Sequence, residues 1–166
     1  MMAVTKDSNP EGPRMLNLDW LSNHMHHSDT MALWLHRQFD YEFASQSLAD
    51  WQLDFSQGQA NGHWKCLIAM KDGELLGGAA LASDDLAERP DLGPWLACVL
   101  VKPEARGRGV AGQLIDGICS HARSVGITTL YLHTHDQQRF YAKRGWRVLE
   151  RLEAWGREHY LMSRDL

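Results

Sequence analysis

Gly107, Gly109 and Gly112 stand in the order G-x-G-x-x-G inside VKPEARGRGVAGQLI, with Arg106 and Arg108 interleaved. Glycines at this spacing let a chain wrap successive backbone amides around a pyrophosphate, and a helix beginning inside the loop adds its positive N-terminal end. The two arginines bring formal positive charge to the same few residues. The spacing therefore serves a ligand carrying a diphosphate, and NAD or any other pyrophosphate cofactor satisfies it. Other chemistry-bearing groups are sparser. The histidines of HMHHSD, residues 24–29, have no framework of carboxylates or cysteines around them and read as a solvated turn rather than a metal site. Cys66, Cys98 and Cys119 are odd in number, widely spaced and set in apolar runs, so they read as buried free thiols.

Regular elements on both sides place the loop. PWLACVLV before it is a continuous apolar run, the pattern of a central strand buried on both faces. After it Val110, Leu114, Ile115, Ile118, Ala122 and Val125 fall on one helical stripe, with Gly126 placed as a left-handed C-cap. Upstream, RMLNLDWL is a first strand. A helix capped by Ser28 or Asp29 turns Met31, Trp34, Leu35 and Phe39 inward. A second, capped by Ser45 or Ser47, turns Leu48, Trp51 and Phe55 inward and ends before GQANG. WKCLIAM and ELLGGAALAS flank Asp72-Gly73, a pair favoured in tight hairpins. Downstream, TTLYLHT is a strand, DQQRFYAKR a short helix stopped by Gly145, and residues 146–166 two strands turning near Trp155-Gly156. The order β-α-α-β-β-β-α-β-α-β-β predicts one domain over residues 14–166 behind a polar, mobile leader, residues 1–13.

A dinucleotide fold sets its first glycine at the very end of a strand and follows it with several βα units. Here KPEAR, with Pro103, separates strand from Gly107, and only 54 residues follow Gly112. Asp136 lies 24 residues beyond Gly112 and is misplaced as a ribose-binding acid. Arg106, Gly109 and Ala111 instead resemble the R/Q-x-x-G-x-G/A loop of the GNAT acetyltransferase superfamily. FYAKRGW, residues 140–146, is similar to that family's F-Y-x-x-x-G-F/W stretch. The similarity runs from about Arg14 to the C-terminus. It implies an α/β fold with a mixed sheet of about seven strands and about four helices, splayed between strands 4 and 5, LACVLV and LYLHT. Acetyl-CoA, as cosubstrate, would insert in the V.

The resemblance also implies where that cosubstrate is held. Backbone groups of Val99, Leu100 and Val101 would run along the pantetheine arm as a paired strand. The amides of Gly107, Arg108, Gly109, Val110, Ala111 and Gly112 would take the pyrophosphate, with charge from Arg106 and Arg108. Thr134 and Gln137 stand where related chains touch the cofactor, although capping of the short helix accounts for Thr134 and Asp136 equally well.

Acetyl transfer to an amine needs an unprotonated nitrogen, a donor to the carbonyl oxygen and an acid for the departing thiolate. Tyr141 is the acid that the motif implies, since a phenol of pKa about 10 stays protonated at neutral pH. The base is unassigned, because PWLACVLV lacks the carboxylate some relatives carry there. Asp91, Glu42, His133 and His135 are the alternatives, each acting through water. Phe39, Tyr41, Phe43 and Trp51, with the acidic loop DDLAERPD, suit a cationic amine of a small molecule or peptide, although Phe39 and Trp51 also read as plain core.

Composition narrows the partners. The chain has 166 residues, 44% hydrophobic and 23% charged, enough for a single well-filled core. A net charge of -4 argues against nucleic acid. Its apolar runs fall far short of the roughly 20 residues that span a bilayer, and MMAVTKDSNPEGP has no apolar signal core. A cytoplasmic enzyme that needs no metal and is free to pair as a homodimer is the expectation. The rival readings are a non-catalytic acyl-CoA sensor on the same fold and an NAD-dependent oxidoreductase.

Overall fold

The computed structural model describes residues 16–166, so the leader and the expected strand's first residues, Arg14 and Met15, lie outside the described residues. Strand β1 (Leu16–Trp20) leads through two short 3-10 turns into α1 (Ser28–Gln38) and α2 (Leu48–Asn61). A meander of β2 (Trp64–Lys71), β3 (Glu74–Ala82) and β4 (Trp95–Val101) follows. The glycine loop then opens α3 (Val110–Ser124), which returns to β5 (Thr129–Thr134) and α4 (Gln138–Ala142). The hairpin β6 (Arg147–Ala154) and β7 (Arg157–Asp165) closes the chain. The order of elements is the one the sequence predicts. The seven strands form one sheet in the order β1-β2-β3-β4-β5-β7-β6, with β4 at its centre.

Helices cover both faces. The α3 stripe of Val110, Leu114, Ile115, Ile118 and Ala122 packs on Leu67, Ala69, Leu96, Leu130 and Leu132 of the sheet. On the other face Met31 and Leu35 of α1 and Trp51 and Phe55 of α2 pack on Ile68, Met70 and Leu100. Each such side chain, taken fully from water, contributes about 1.5–3 kcal/mol. Asp72 and Gly73 adopt φ of 53° and 81°, the mirror-image turn that suits the twist of β2 and β3. Trp155 and Gly156 do the same between β6 and β7, with φ of 51° and 73°. No helix among the described residues is long and apolar enough to cross a membrane.

Three local expectations are corrected. Neither Ser28 nor Asp29 caps α1: His27 holds the cap position without a side-chain bond, and the Ser28 hydroxyl is buried without a partner. The second helix, capped as expected by Ser47 accepting from Asp50 N–H at 3.1 Å, runs through Gly58 to Asn61. Gly58 continues the helix because Trp64 packs where its side chain would stand, 2.5 Å from an added Cβ. Val125 lies just past the last turn of α3 and is 58% exposed, although Gly126 after it takes the expected left-handed φ of 88°.

The central strand depends on Gly77 of β3, where an added Cβ would lie 2.2 Å from Leu100 O and 2.9 Å from Val101 Cα. Both obstacles are backbone of β4, so a methyl group must push the two strands apart. Gly77→Ala is expected to cost about 2 kcal/mol or more and to lower Tm by roughly 5 °C or more in calorimetry. An unchanged Tm would show that β4 is not held at this distance.

Candidate active site

β4 and β5 are parallel neighbours, yet their register is the single pair Trp95↔Tyr131, joined by Tyr131 N–H donating to Pro94 O at 3.2 Å. Beyond that pair they part into the expected V. On its other edge β4 pairs with β3 from Gly77↔Val101 to Ala82↔Trp95, with a register shift between Gly78 and Ala80. The shift is a bulge that sets Cys98 and Val99 against a single β3 residue, and Cys98 takes a φ of 57° that non-glycine residues rarely adopt. Burial, then the charges of Asp85 and Glu42 among others, hold the Cys98 thiol well above its ordinary range, so it stays protonated.

The glycine loop leaves β4 and reaches the open end of the V. Gly107 and Gly109 have φ of 78° and 79°, and an added Cβ on either would meet nothing within 4 Å. Gly109 is the cap residue of α3, with no side chain occupying the first-turn amides. Arg106 folds back, its Nε donating to Val101 O at 2.8 Å and its Nη2 to Gln38 Oε1 at 3.5 Å. A third cation stands nearby that the sequence reading missed: Arg144 stacks on Phe140 at 4.8 Å, and a Cβ on Gly112 would come 2.6 Å from its Nη1. Its place just before Gly145 in FYAKRGW was the available signal.

Tyr141 follows on α4, 8% exposed in the core between the sheet and α3, edge-on to Phe140 and Trp146 at 5.2 Å and 6.1 Å. Burial raises its phenol above 10, against the opposing charge of Arg144. Thr134 Oγ1 accepts from Gln137 N–H at 3.0 Å, the local turn foreseen for it.

Alternation along β5 sorts the remaining candidates. Leu130 and Leu132 face α3, while Tyr131 and His133 face the other side, towards Trp95 at 5.9 Å and 6.1 Å. His133 Nδ1 is 3.0 Å from Nδ1 of His159, its diagonal neighbour on β7, and its Nε2 is 3.0 Å from Asp85 Oδ2, out of line for a straight N–H···O bond. Burial disfavours the His133 cation, but the hydrogen bond and charge of Asp85, then the charge of Glu42, outweigh it and raise its pKa. His159 is fully buried, and burial together with the charges of His133, His135 and Arg157 lowers it to about 4. His135 Nδ1 is 3.2 Å from Tyr41 Oη, and its Nε2 is 3.4 Å from Arg157 Nη1 and 3.5 Å from Asp136 Oδ2. Arg157 also stacks on Tyr41 at 4.1 Å.

Glu42, in the loop between α1 and α2, joins this cluster. Burial raises its carboxyl to about 7, aided by the charge of Asp85 and opposed by His133 and a hydrogen bond from Tyr41. Asp91 does not join it: exposed, it is held by a bidentate contact from Arg89 with both bonds at 3.0 Å. Asp85 and His159 were not singled out from the sequence, since only the folding of the β3–β4 loop and the β5–β7 pairing brings them to His133. The HMHHSD histidines stand apart in the 3-10 turns, His24 Nε2 2.8 Å from Asp19 Oδ2 and His27 Nε2 3.1 Å from Gly73 O.

Solved structures share this fold. An aminoglycoside 6'-N-acetyltransferase complexed with coenzyme A superposes with a TM-score of 0.72 over 90% of this chain and 96% of that one, at 15% identity. N-acetylglutamate synthase from Neisseria gonorrhoeae, complexed with coenzyme A and N-acetyl-glutamate, gives 0.63 over 91% of this chain at 24% identity. The chain spans 35% of that synthase's length. Mouse N-alpha-acetyltransferase 80 is 42% identical over 52 residues, which is 31% of this chain and 17% of that protein. Residues 24–146, from the turn before α1 through the FYAKRGW stretch, match the acetyltransferase (GNAT) family, and the chain belongs to that family.

Proposed function

We propose that the protein transfers the acetyl group of acetyl-CoA to a primary amine of a small molecule or peptide, by direct attack in a ternary complex. The observation that carries this reading is the opening of β4 from β5 beyond Trp95↔Tyr131, continuous with the exposed loop at the N-terminus of α3. The residues fit the cosubstrate, because open space lies over Gly107 and Gly109 and the α3 amides are uncapped. Gly107, Arg108, Gly109, Val110, Ala111 and Gly112 would hold the pyrophosphate by their amides, and Val99, Leu100 and Val101 the pantetheine arm. Arg106, Arg108, Thr134 and Gln137 would complete the set. Bound acetyl-CoA supplies an activated thioester.

At the thioester the amine nitrogen forms the new C–N bond as the C–S bond breaks, and the amine gives up a proton. Tyr141 donates a hydrogen bond to the departing sulfur. Its phenol holds its proton more tightly than a thiol of pKa about 8.5, so it stabilises the thiolate while solvent supplies the final proton. Cys98, protonated and beside carboxylates, is unsuited to a covalent acetyl intermediate, which favours direct transfer. The free state of Cys66, Cys98 and Cys119 suits a reducing cytoplasm.

Thermal shift tests the cofactor assignment. Acetyl-CoA at a hundred times its Kd should stabilise the fold by about 2.7 kcal/mol while NAD leaves Tm unchanged. The reverse result would restore the dinucleotide reading.

A further inference from the structure

On the acetyl-transfer reading above, we propose that Arg144 binds the pyrophosphate of acetyl-CoA, and that residue 112 is glycine in order to seat the Arg144 guanidinium beside the pyrophosphate amides. The seat is built from two elements. The end of α4 reverses in a way that fixes where Arg144 departs: Gly145 takes a φ of 91°, its N–H donates to Ala142 O at 3.2 Å, and Trp146 N–H returns to Tyr141 O at 3.2 Å. Tyr141 and Trp146 anchor that reversal in the core. The Arg144 side chain then crosses to α3. Its Cζ lies over the Phe140 ring at 4.8 Å, and a Cβ built on Gly112 would meet Nη1, Nη2 and Cζ at 2.6, 2.7 and 2.9 Å. Those are the three nearest atoms, so the guanidinium fills the space that a side chain would take.

Two local rules are broken at this one spot. Glycine disfavours a helix more than any residue but proline, yet Gly112 is the third residue of α3. A cation is unfavourable at the positive end of a helix, yet Arg144 packs on the first turn of α3, behind a loop that already carries Arg106 and Arg108. An anion bound at that end turns the repulsion into attraction.

The hydrogen-bond partners point the same way. Three arginines among the described residues are half-buried, Arg89, Arg144 and Arg164. Arg89 is paired with Asp91 and Glu150, and Arg164 donates to Cys119 Sγ at 3.6 Å, whereas the Arg144 fork meets no acceptor among those residues. Gln113 N–H is taken by Gly109 O at 3.1 Å, which leaves the amides of Val110, Ala111 and Gly112 free in the first turn. The Gly112 amide is one bond from the carbon against which the guanidinium rests. Free amides and a planar fork of donors together suit a phosphate oxygen, and at Gly112 the phosphate within reach is the pyrophosphate and not the 3'-phosphate.

The test is calorimetric titration of CoA and of dephospho-CoA, which keeps the pyrophosphate and lacks the 3'-phosphate. Arg144→Gln should weaken both ligands alike, by roughly ten- to a hundredfold, the loss expected for one charge-assisted contact. Gly112→Ala should weaken both by a similar factor, because the methyl displaces the guanidinium, while Tm holds or rises on the better helix residue. The double variant should bind no more weakly than Arg144→Gln alone, since the two changes remove the same contact.

Wild-type affinity in Arg144→Gln, or a loss with CoA that vanishes with dephospho-CoA, overturns the assignment while leaving CoA binding intact. A double variant weaker than Arg144→Gln by the full Gly112→Ala factor shows the methyl meeting the ligand itself, and removes Gly112 as the seat. Absence of CoA binding by the wild type overturns this inference and the acetyl-transfer reading together. Ligand-free Arg144→Gln should melt close to wild type, because the repulsion it relieves at the positive end of α3 offsets the lost contact with Phe140. A clear fall in Tm with CoA affinity unchanged would make Arg144 a packing residue.

Discussion

Tyr141→Phe is expected to lower kcat by roughly ten- to a hundredfold while acetyl-CoA affinity stays close to wild type. Phenylalanine keeps the ring that packs edge-on against Phe140 and Trp146, so the core between α4 and the sheet survives. What it removes is one hydrogen bond to a sulfur that becomes charged only as the C–S bond breaks, and such charge-assisted bonds are worth about 1.5–3 kcal/mol. The loss should appear in kcat and kcat/KM alike, the mark of an interaction made in the transition state. A thiolate of pKa about 8.5 leaves tolerably by itself, which preserves a residual rate. Weakened acetyl-CoA binding with kcat unchanged, measured by calorimetry and steady-state kinetics, would make Tyr141 a packing residue.

Gly109→Asp should weaken acetyl-CoA binding about a hundredfold. The position is open to solvent, so a side chain meets no atom, and the cost arises elsewhere. A φ of 79° strains any residue with a Cβ, and a carboxylate at the α3 N-terminus competes for the amides and repels a pyrophosphate. Arg106→Ala should act in the same direction and more weakly, since Arg106 in the free protein is already engaged with Val101 O and Gln38. Wild-type affinity in both variants would remove the pyrophosphate from this loop.

The sequence carried the scaffold further than the site. Periodicity and turn chemistry located each strand and helix because those signals are local: the Asp72-Gly73 pair, the α3 stripe and the apolar run of β4 each declare themselves within a dozen residues. The errors fell at boundaries, where Gly58 serves a tertiary contact with Trp64 rather than ending a helix. The glycine loop was legible because backbone geometry demands glycine at Gly107 and Gly109 whatever else the chain does. The acceptor side was not. Glu42, Asp85, His133 and His159 come from four separate elements, and which of them is free to act depends on who donates to whom. The Cys98 bulge was equally hidden, because cysteine carries no signal for a positive φ.

Amine-dependent release of CoA thiol from acetyl-CoA, with the acetylated amine identified by mass spectrometry, tests acetyl transfer most directly. Thiol release should require both protein and one class of primary amine, with one acetyl group appearing on nitrogen for each thiol freed. Tight acetyl-CoA binding with no acetylated product from any amine would contradict it and leave an acyl-CoA sensor in its place.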